Sequence, residues 1–201
     1  MGRPRSGVGS RRATVLLESW AFSREAIDNG EVWRLAVASL AHLSWPHLYG
    51  NLAVFAAAVA LLRSVSGPLE LGAALLVSAL ATTLGLYFGS SLQWYVGASG
   101  ALYGLLAWGA LRLPMPTGPL LAGLLAINAS IDQGRTLSWL GEPLAPQAHY
   151  WGLVGGLALA IFSAWRSSLL PAAASSPKSG GAPCNSAGSV PPAIAARISA
   201  T

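Results

Sequence analysis

The sequence predicts an all-α bundle of membrane-spanning helices, and two observations carry that prediction. Of the 201 residues, 53% are hydrophobic and only 9% are charged, with a mean hydropathy of +0.53. Soluble globular chains carry about a quarter charged residues. The charges here also cluster near the two ends and in short gaps, which leaves long stretches without any. This pattern is typical of a polytopic membrane protein.

Five apolar segments form the predicted spans, at residues 46–62, 69–88, 96–111, 118–131 and 147–165. A helix needs about 20 apolar residues to cross a bilayer, so the second and fifth segments are long enough. The third and fourth are short, and we expect neighbouring helices to shield them. Residues 11–22 hold a shorter apolar run interrupted by Glu18. That run predicts a short or degenerate first helix.

The chain divides into a basic N-terminal segment at residues 1–12, a membrane domain at 13–166 and a low-complexity tail at 167–201. We expect no fixed structure in the tail because its composition cannot bury a core. The single cysteine, Cys184, lies there, which excludes a disulfide framework and a CxxC metal site. The sequence also lacks HExxH and GxxxxGK[ST] motifs, so we expect neither a metal nor an organic cofactor.

Basic residues give the predicted orientation of the helices. Arg63, Arg112 and Arg166 follow the first, third and fifth spans. Under the positive-inside rule these spans run from outside to inside, and the tail is cytoplasmic. The basic residues are not interleaved with aromatics on one surface, which favours membrane topology over nucleic-acid binding.

Several polar residues begin the three spans whose N-terminal ends share the outer side. His47 and Asn51 lie near the start of the first span, Ser99 near the start of the third and His149 near the start of the fifth. Polar side chains inside a membrane segment usually face an interior cavity. The topology therefore predicts one site near the outer face, with His42 on the same side.

Ser99 and His149 form the candidate catalytic pair. A serine hydroxyl becomes a good nucleophile when a base takes its proton, and neutral imidazole is the usual base. The two helices are expected to approach closely because each carries small residues at a four-residue spacing, which lets helix backbones come together. These residues are Gly100 and Gly104 on one helix, and Gly152 and Gly156 on the other.

Acyl transfer also needs donors for the developing oxyanion, often worth about 3 kcal/mol each. His47 and Asn51 are four residues apart on one helical face, and the Ser99 backbone N–H is a further candidate. Tyr103 follows Ser99 by four residues, where its ring can pack against an imidazole. The spans contain no acidic residue except Glu70 at the inner end of the second. We therefore expect a Ser-His dyad without an acidic third member.

These residues match a known family: the sequence resembles the rhomboid intramembrane serine proteases. The match covers about residues 33–165 and keeps the family's order of motifs. The motifs are Trp33-Arg34, the run HLSWPHLYGN with His42, His47 and Asn51, the GASG of Gly97 to Gly100 followed by Tyr103, and AHYWG with His149 and Gly152.

The resemblance implies a role for each group of residues. Ser99 would be the nucleophile and His149 its base, while His47 and Asn51 would stabilise the oxyanion. Tyr103 would support the base, and Trp33-Arg34 would structure the outer loop. The family core has six spans, whereas the first is short here.

The compact chain looks most like the bacterial rhombosortase subgroup. That likeness implies a bacterial inner membrane protein with its site on the outer or periplasmic side. The implied partners are the lipid bilayer and exported proteins that carry a glycine-rich, hydrophobic, basic-ended C-terminal anchor. No nucleic acid is implied.

Two other functions are compatible with the same segments. The first is a catalytically inactive rhomboid-like protein that binds clients, although such proteins usually lack the serine or the histidine. The second is a small transporter whose polar residues line a path. A path needs polar groups that continue toward the inner face, and none follow beyond Asn128 and Ser130 at the outer end of the fourth span.

Overall fold

A computed structural model describes residues 18–133 and 145–169 and confirms the predicted all-α membrane fold. Two-residue strands β1 (Phe22–Ser23) and β2 (Trp94–Tyr95) pair antiparallel. The α-helices are α1 (Arg24–Asp28), α2 (Arg34–Val37), α3 (Trp45–Leu62), α4 (Pro68–Gly89), α5 (Ser99–Ala110), α6 (Thr117–Gln133) and α7 (Pro146–Leu169), with a 3-10 helix at Ala38–Leu40.

Parts of the predicted organisation lie outside the described residues. These are the N-terminal segment 1–12, most of the first helix, and residues 170–201 of the tail with Cys184. The tail was predicted to begin at residue 167, which is wrong by three residues because α7 continues to Leu169. The helix predicted over residues 11–22 does not reach its expected end, because residues 18–20 are helical but Phe22 belongs to β1. The ring of Phe22 is fully buried, so this apolar residue serves the packing of the strand pair.

Three of the described helices are long and apolar enough to cross a membrane: α3, α4 and α7. Helix α5 has 12 residues. At 1.5 Å per residue it is about 18 Å long, well short of a hydrocarbon core of about 30 Å. It contacts α3, α4, α6 and α7, and most of its residues are buried. The expected shielding is therefore confirmed for this helix.

Neighbouring helices do not shield α6, so the expectation of shielding is wrong for this helix. This helix packs on α5 and α7 with one side only, and large apolar side chains on its other side are exposed. Shielding is unnecessary because lipid tails are as apolar as these side chains. The exposed residues are Leu120, Leu124, Ile127 and Ile131.

Helices α5 and α7 approach as closely as their glycine spacing predicts. A Cβ atom on Gly152 would lie 1.9 Å from the carbonyl oxygen of Gly100, and one on Gly156 would lie 2.0 Å from that of Gly104. Any larger side chain at these positions would push the two backbones apart. The close approach holds the first turns of both helices together, where the candidate pair lies.

The segment from β1 to the 3-10 helix packs at the end of the bundle that holds Ser99 and is fixed by two arginines. Arg24 donates hydrogen bonds of 2.7 to 2.8 Å to three carbonyl oxygens at the end of α4. Carbonyl oxygens in the last turn of a helix generally lack backbone partners within it. Arg34 is buried, pairs with Glu31 at 2.6 Å, and donates to the carbonyl of Ala21 at 2.9 Å. Trp33 stacks over its guanidinium at 5.1 Å.

The start of α3 is fixed by its sequence. Ser44 caps the helix by accepting the backbone N–H of His47 at 3.3 Å, and a proline stands in the first turn. Both are favoured at helix N-termini, because the first N–H groups lack partners within the helix. His47 and Asn51 consequently lie in the first two turns, one above the other.

Candidate active site

Ser99 and His149 are in hydrogen-bonding contact. The serine is the first residue of α5, and the histidine lies in the first turn of α7. Their side chains meet with 3.0 Å between Ser99 Oγ and His149 Nε2. His149 is buried and Ser99 partly buried. This is the distance and pairing that a nucleophile and its general base require.

An acidic residue lies on the other side of the imidazole, which corrects the expectation that none would. Asp132 Oδ2 is 2.8 Å from His149 Nδ1, and the carboxylate is only 5% exposed. The fourth predicted span ends at residue 131, which leaves Asp132 just outside it. Helix α6 in fact continues to Gln133, and its last turn brings the carboxylate to the histidine.

Tyr103 lies against the base, on the helical face predicted for it. Its ring stacks on the imidazole of His149 with centroids 4.3 Å apart and planes 9° from parallel. Its hydroxyl donates to Asp132 Oδ2 at 2.9 Å and accepts a hydrogen bond from the side-chain amide of Asn128. The tyrosine thus contacts both the histidine and the acid.

The two candidate oxyanion donors lie beside the backbone that precedes Ser99. Gly97 has a φ of +118°, and a Cβ there would lie 2.7 Å from Cε1 of His47 and 3.8 Å from Nδ2 of Asn51. Only glycine adopts this conformation without strain. Tyr95 fixes the turn by donating its hydroxyl to the Gly97 carbonyl at 2.6 Å. Both candidate donors therefore lie next to the backbone two residues before the nucleophile.

The side-chain nitrogen of Asn51 is an unpaired donor among the described residues. This Nδ2 atom is buried and has no hydrogen-bond partner in that part of the chain. Buried polar atoms in proteins are nearly always hydrogen-bonded, so an orphan of this kind calls for an explanation. A substrate oxygen beside this nitrogen would supply the missing acceptor.

His42 lies beside His47 rather than beside the serine. Its Nδ1–H donates to the carbonyl of Leu40 at 3.1 Å, and its ring meets that of His47 edge-on with centroids 5.0 Å apart. Burial lowers the pKa of His42 below its ordinary value. The imidazole is therefore neutral at neutral pH.

A scan against protein families matches the Rhomboid domain over residues 29–166, which is more than half of the chain. The chain belongs to the rhomboid family. Rhomboids are generally intramembrane serine proteases that act on membrane protein substrates. The search of curated proteins gives no match to this rhomboid. The matched region includes every residue placed at the site above. Among the residues that the structure describes, no three His, Cys, Asp or Glu side chains are grouped to hold a metal ion.

Two residues of the site in this rhomboid were not predicted from the sequence. They are Asp132, and Asn128 as the donor to the Tyr103 hydroxyl. The two residues are four apart, so they share one face at the end of α6. That spacing was a usable signal, because the predicted topology put this end of the fourth span on the same side as Ser99 and His149. Hydropathy marks an apolar run, however, and does not mark where the helix ends.

Proposed function

We propose that this rhomboid is an intramembrane serine endopeptidase, with Ser99 as nucleophile and His149 as general base. The observation that carries the proposal is the 3.0 Å contact between Ser99 Oγ and His149 Nε2. The same contact argues against the inactive alternative, which has no need of an aligned pair. Asn128 is bonded to Tyr103 instead of lining a path, which argues against a transporter.

The reaction proceeds in two steps. His149 Nε2 takes the hydroxyl proton as Ser99 Oγ bonds to the carbonyl carbon of the scissile peptide, and an electron pair moves to the carbonyl oxygen. The tetrahedral intermediate collapses, the C–N bond breaks, and His149 returns the proton to the leaving amine. Water then attacks the acyl-enzyme, with His149 again as base, and releases the acid and free Ser99.

The oxyanion formed in each step lies beside Gly97, next to His47 and Asn51. Asn51 and His47 are the side-chain donors, and the backbone N–H of Ser99 is the third. Such donors stabilise the transition state because they are already oriented when the charge develops. The unpaired Nδ2 of Asn51 supports this assignment.

The proposed substrates are exported proteins with a C-terminal membrane anchor, as the likeness to rhombosortases suggests. The anchor would unwind near the outer face of a bacterial inner membrane and present a peptide bond to Ser99. The distribution of Arg63, Arg112 and Arg166 supports this orientation.

The test uses the purified full-length protein, a fluorophosphonate that reacts with activated serines, and a membrane-anchored substrate with a glycine-rich anchor. We expect labelling and cleavage in the native protein and neither in Ser99→Ala or His149→Ala. Ser163→Ala is the matched control, because this membrane-helix serine only donates to the carbonyl of Leu159 at 2.8 Å. A chelator should leave the rate unchanged. Labelling that persists in Ser99→Ala, with no cleavage by any form, would refute the proposal.

A further inference from the structure

The carboxylate of Asp132 lies between the candidate base and Tyr103. It is buried, and among the described residues its partners are His149 Nδ1 at 2.8 Å and the Tyr103 hydroxyl at 2.9 Å. Burying a charge is costly unless it is paired and hydrogen-bonded. We propose that Asp132 is a positioning residue that completes a Ser-His-Asp triad, an inference that rests on the proposed protease function.

The directions of the hydrogen bonds determine where the proton of the histidine lies. The amide of Asn128 donates to the oxygen of Tyr103, so the tyrosine O–H is free to donate to Asp132. An ionised carboxylate only accepts, so His149 must donate from Nδ1. The opposite ring nitrogen, Nε2, then carries a lone pair directed at Ser99 Oγ. This is the tautomer that a general base requires.

Two contacts together fix the imidazole in space. The stack with Tyr103 sets the plane of the ring, because the two planes differ by only 9°. The bond to Asp132 sets the rotation of the ring within that plane. Neither contact alone directs Nε2 at the serine. Helices α5, α6 and α7 each supply one part of the triad, Ser99, Asp132 and His149 respectively.

The acid also acts while the reaction is under way. When His149 takes the serine proton the ring becomes positively charged inside a mostly apolar bundle. Asp132 stabilises this imidazolium through a charge-assisted hydrogen bond and does not take the proton itself. A neutral amide at position 132 keeps the shape and loses this effect.

The decisive variant is Asp132→Asn in the full-length protein, with the rate of fluorophosphonate labelling and the kcat and KM of substrate cleavage as readouts. We expect the labelling rate and kcat to fall by roughly 10²- to 10⁴-fold with KM little changed, because the base loses its tautomer and its counter-charge. Asp28→Asn is the matched control. That carboxylate also accepts a tyrosine hydroxyl, from Tyr87 at 2.6 Å, and it has no histidine partner in the described chain.

A second readout separates positioning from folding. Nitrogen-15 NMR of the imidazole rings reports the tautomer of His149, and we expect Nδ1–H in the native protein and a mixture in Asp132→Asn. Tyr103→Phe keeps the stacked ring and removes the donor to Asp132, so it should cost roughly tenfold in kcat without unfolding the protein. This variant therefore tests the hydrogen bonds around Asp132 even if Asp132→Asn folds poorly.

Two outcomes would overturn the proposal. One is an Asp132→Asn protein that keeps its labelling rate within threefold of the native value, which would leave a Ser-His dyad sufficient. The other is a native His149 that is not the Nδ1–H tautomer. A native protein that shows the expected tautomer but no Ser99 labelling would instead refute the protease function alone, so the two failures are distinguishable.

Discussion

Asn51 is a residue whose placement makes sense for catalysis and not for stability. An unpaired buried donor costs about 1–3 kcal/mol of folding free energy. The amide nitrogen of Asn51 is such a donor in the described part of the chain. A chain selected for stability alone would carry an apolar residue there. The unmet hydrogen bond is available to an oxyanion, which forms only during the reaction.

Replacing Asn51 should therefore separate activity from stability. We expect Asn51→Leu, which keeps the branched shape of the side chain, to lower kcat roughly 10²- to 10³-fold through the lost oxyanion donor. We expect its free energy of unfolding to stay equal or to rise by about 1 kcal/mol, because the orphan amide is gone. Cleavage kinetics and thermal unfolding in detergent measure the two effects.

Leu52→Ala is the control for the Asn51 variant. Leu52 follows on the same turn of α3 and is half exposed, toward lipid in the membrane. Its removal should leave kcat within about threefold, since a surface substitution changes stability by less than about 0.5 kcal/mol. If Asn51→Leu unfolds more readily than the native protein while keeping its kcat, the side chain is structural and the oxyanion assignment is wrong.

At the scale of elements, apolar runs and glycine spacing were enough to predict most of the helices. The second predicted span, residues 69–88, matches α4 within one residue at each end. The close pairing of α5 with α7 was also predictable, because each helix carries two glycines four residues apart. These are Gly100 and Gly104 on α5, and Gly152 and Gly156 on α7. Each of these patterns lies within a single segment, so it can be recognised without knowing which segments meet in the fold.

Other features depend on contacts between distant segments, and the sequence does not reveal them. The last turn of α6 is polar, so hydropathy cannot show that it stays helical and carries Asp132 to His149. Arg24 reads as one more basic residue of the N-terminal region, yet it caps carbonyls at residues 86 to 90. In both cases the partner lies on another element.

The glycine contact between α5 and α7 makes a prediction about stability. Gly152→Ala adds a Cβ that would meet the Gly100 carbonyl oxygen at 1.9 Å, so the helices must separate. Overpacking of this kind typically costs about 1–3 kcal/mol. The separation also moves His149 from Ser99, so fluorophosphonate labelling should fall together with the melting temperature.

Gly72→Ala is the matched control for Gly152→Ala, because a Cβ at this helical glycine of α4 meets nothing within 4 Å. It should leave stability unchanged or raise it by about 0.5–1 kcal/mol, since alanine is the better helix former. Equal melting temperatures for the two variants would mean that α5 and α7 do not pack as closely as described.

For the molecule as a whole, the shortness of α5 decides the depth of the site. Its C-terminal end lies next to an ion pair of Arg112 with Glu70, 3.6 Å apart, and the Arg112 guanidinium covers the ring of Trp108 at 4.1 Å. Charged pairs belong near the membrane surface. A helix of about 18 Å starting from that level ends inside a core of about 30 Å. Ser99 therefore lies below the opposite surface, under the segment that Arg24 and Arg34 fix.

The orientation of this arrangement is testable with serines at the two ends of the bundle. Ser91 precedes β2 on the side of the site and Ser64 follows α3 on the opposite side, and both are exposed. In a Cys184→Ser background, Ser91→Cys should react with a membrane-impermeant maleimide in intact spheroplasts. Ser64→Cys should react only after permeabilisation, because the basic residues Arg63 and Arg112 favour a cytoplasmic location for that side. The reverse pattern would place Ser99 near the inner face, and exported proteins would then reach the site only before their translocation was complete.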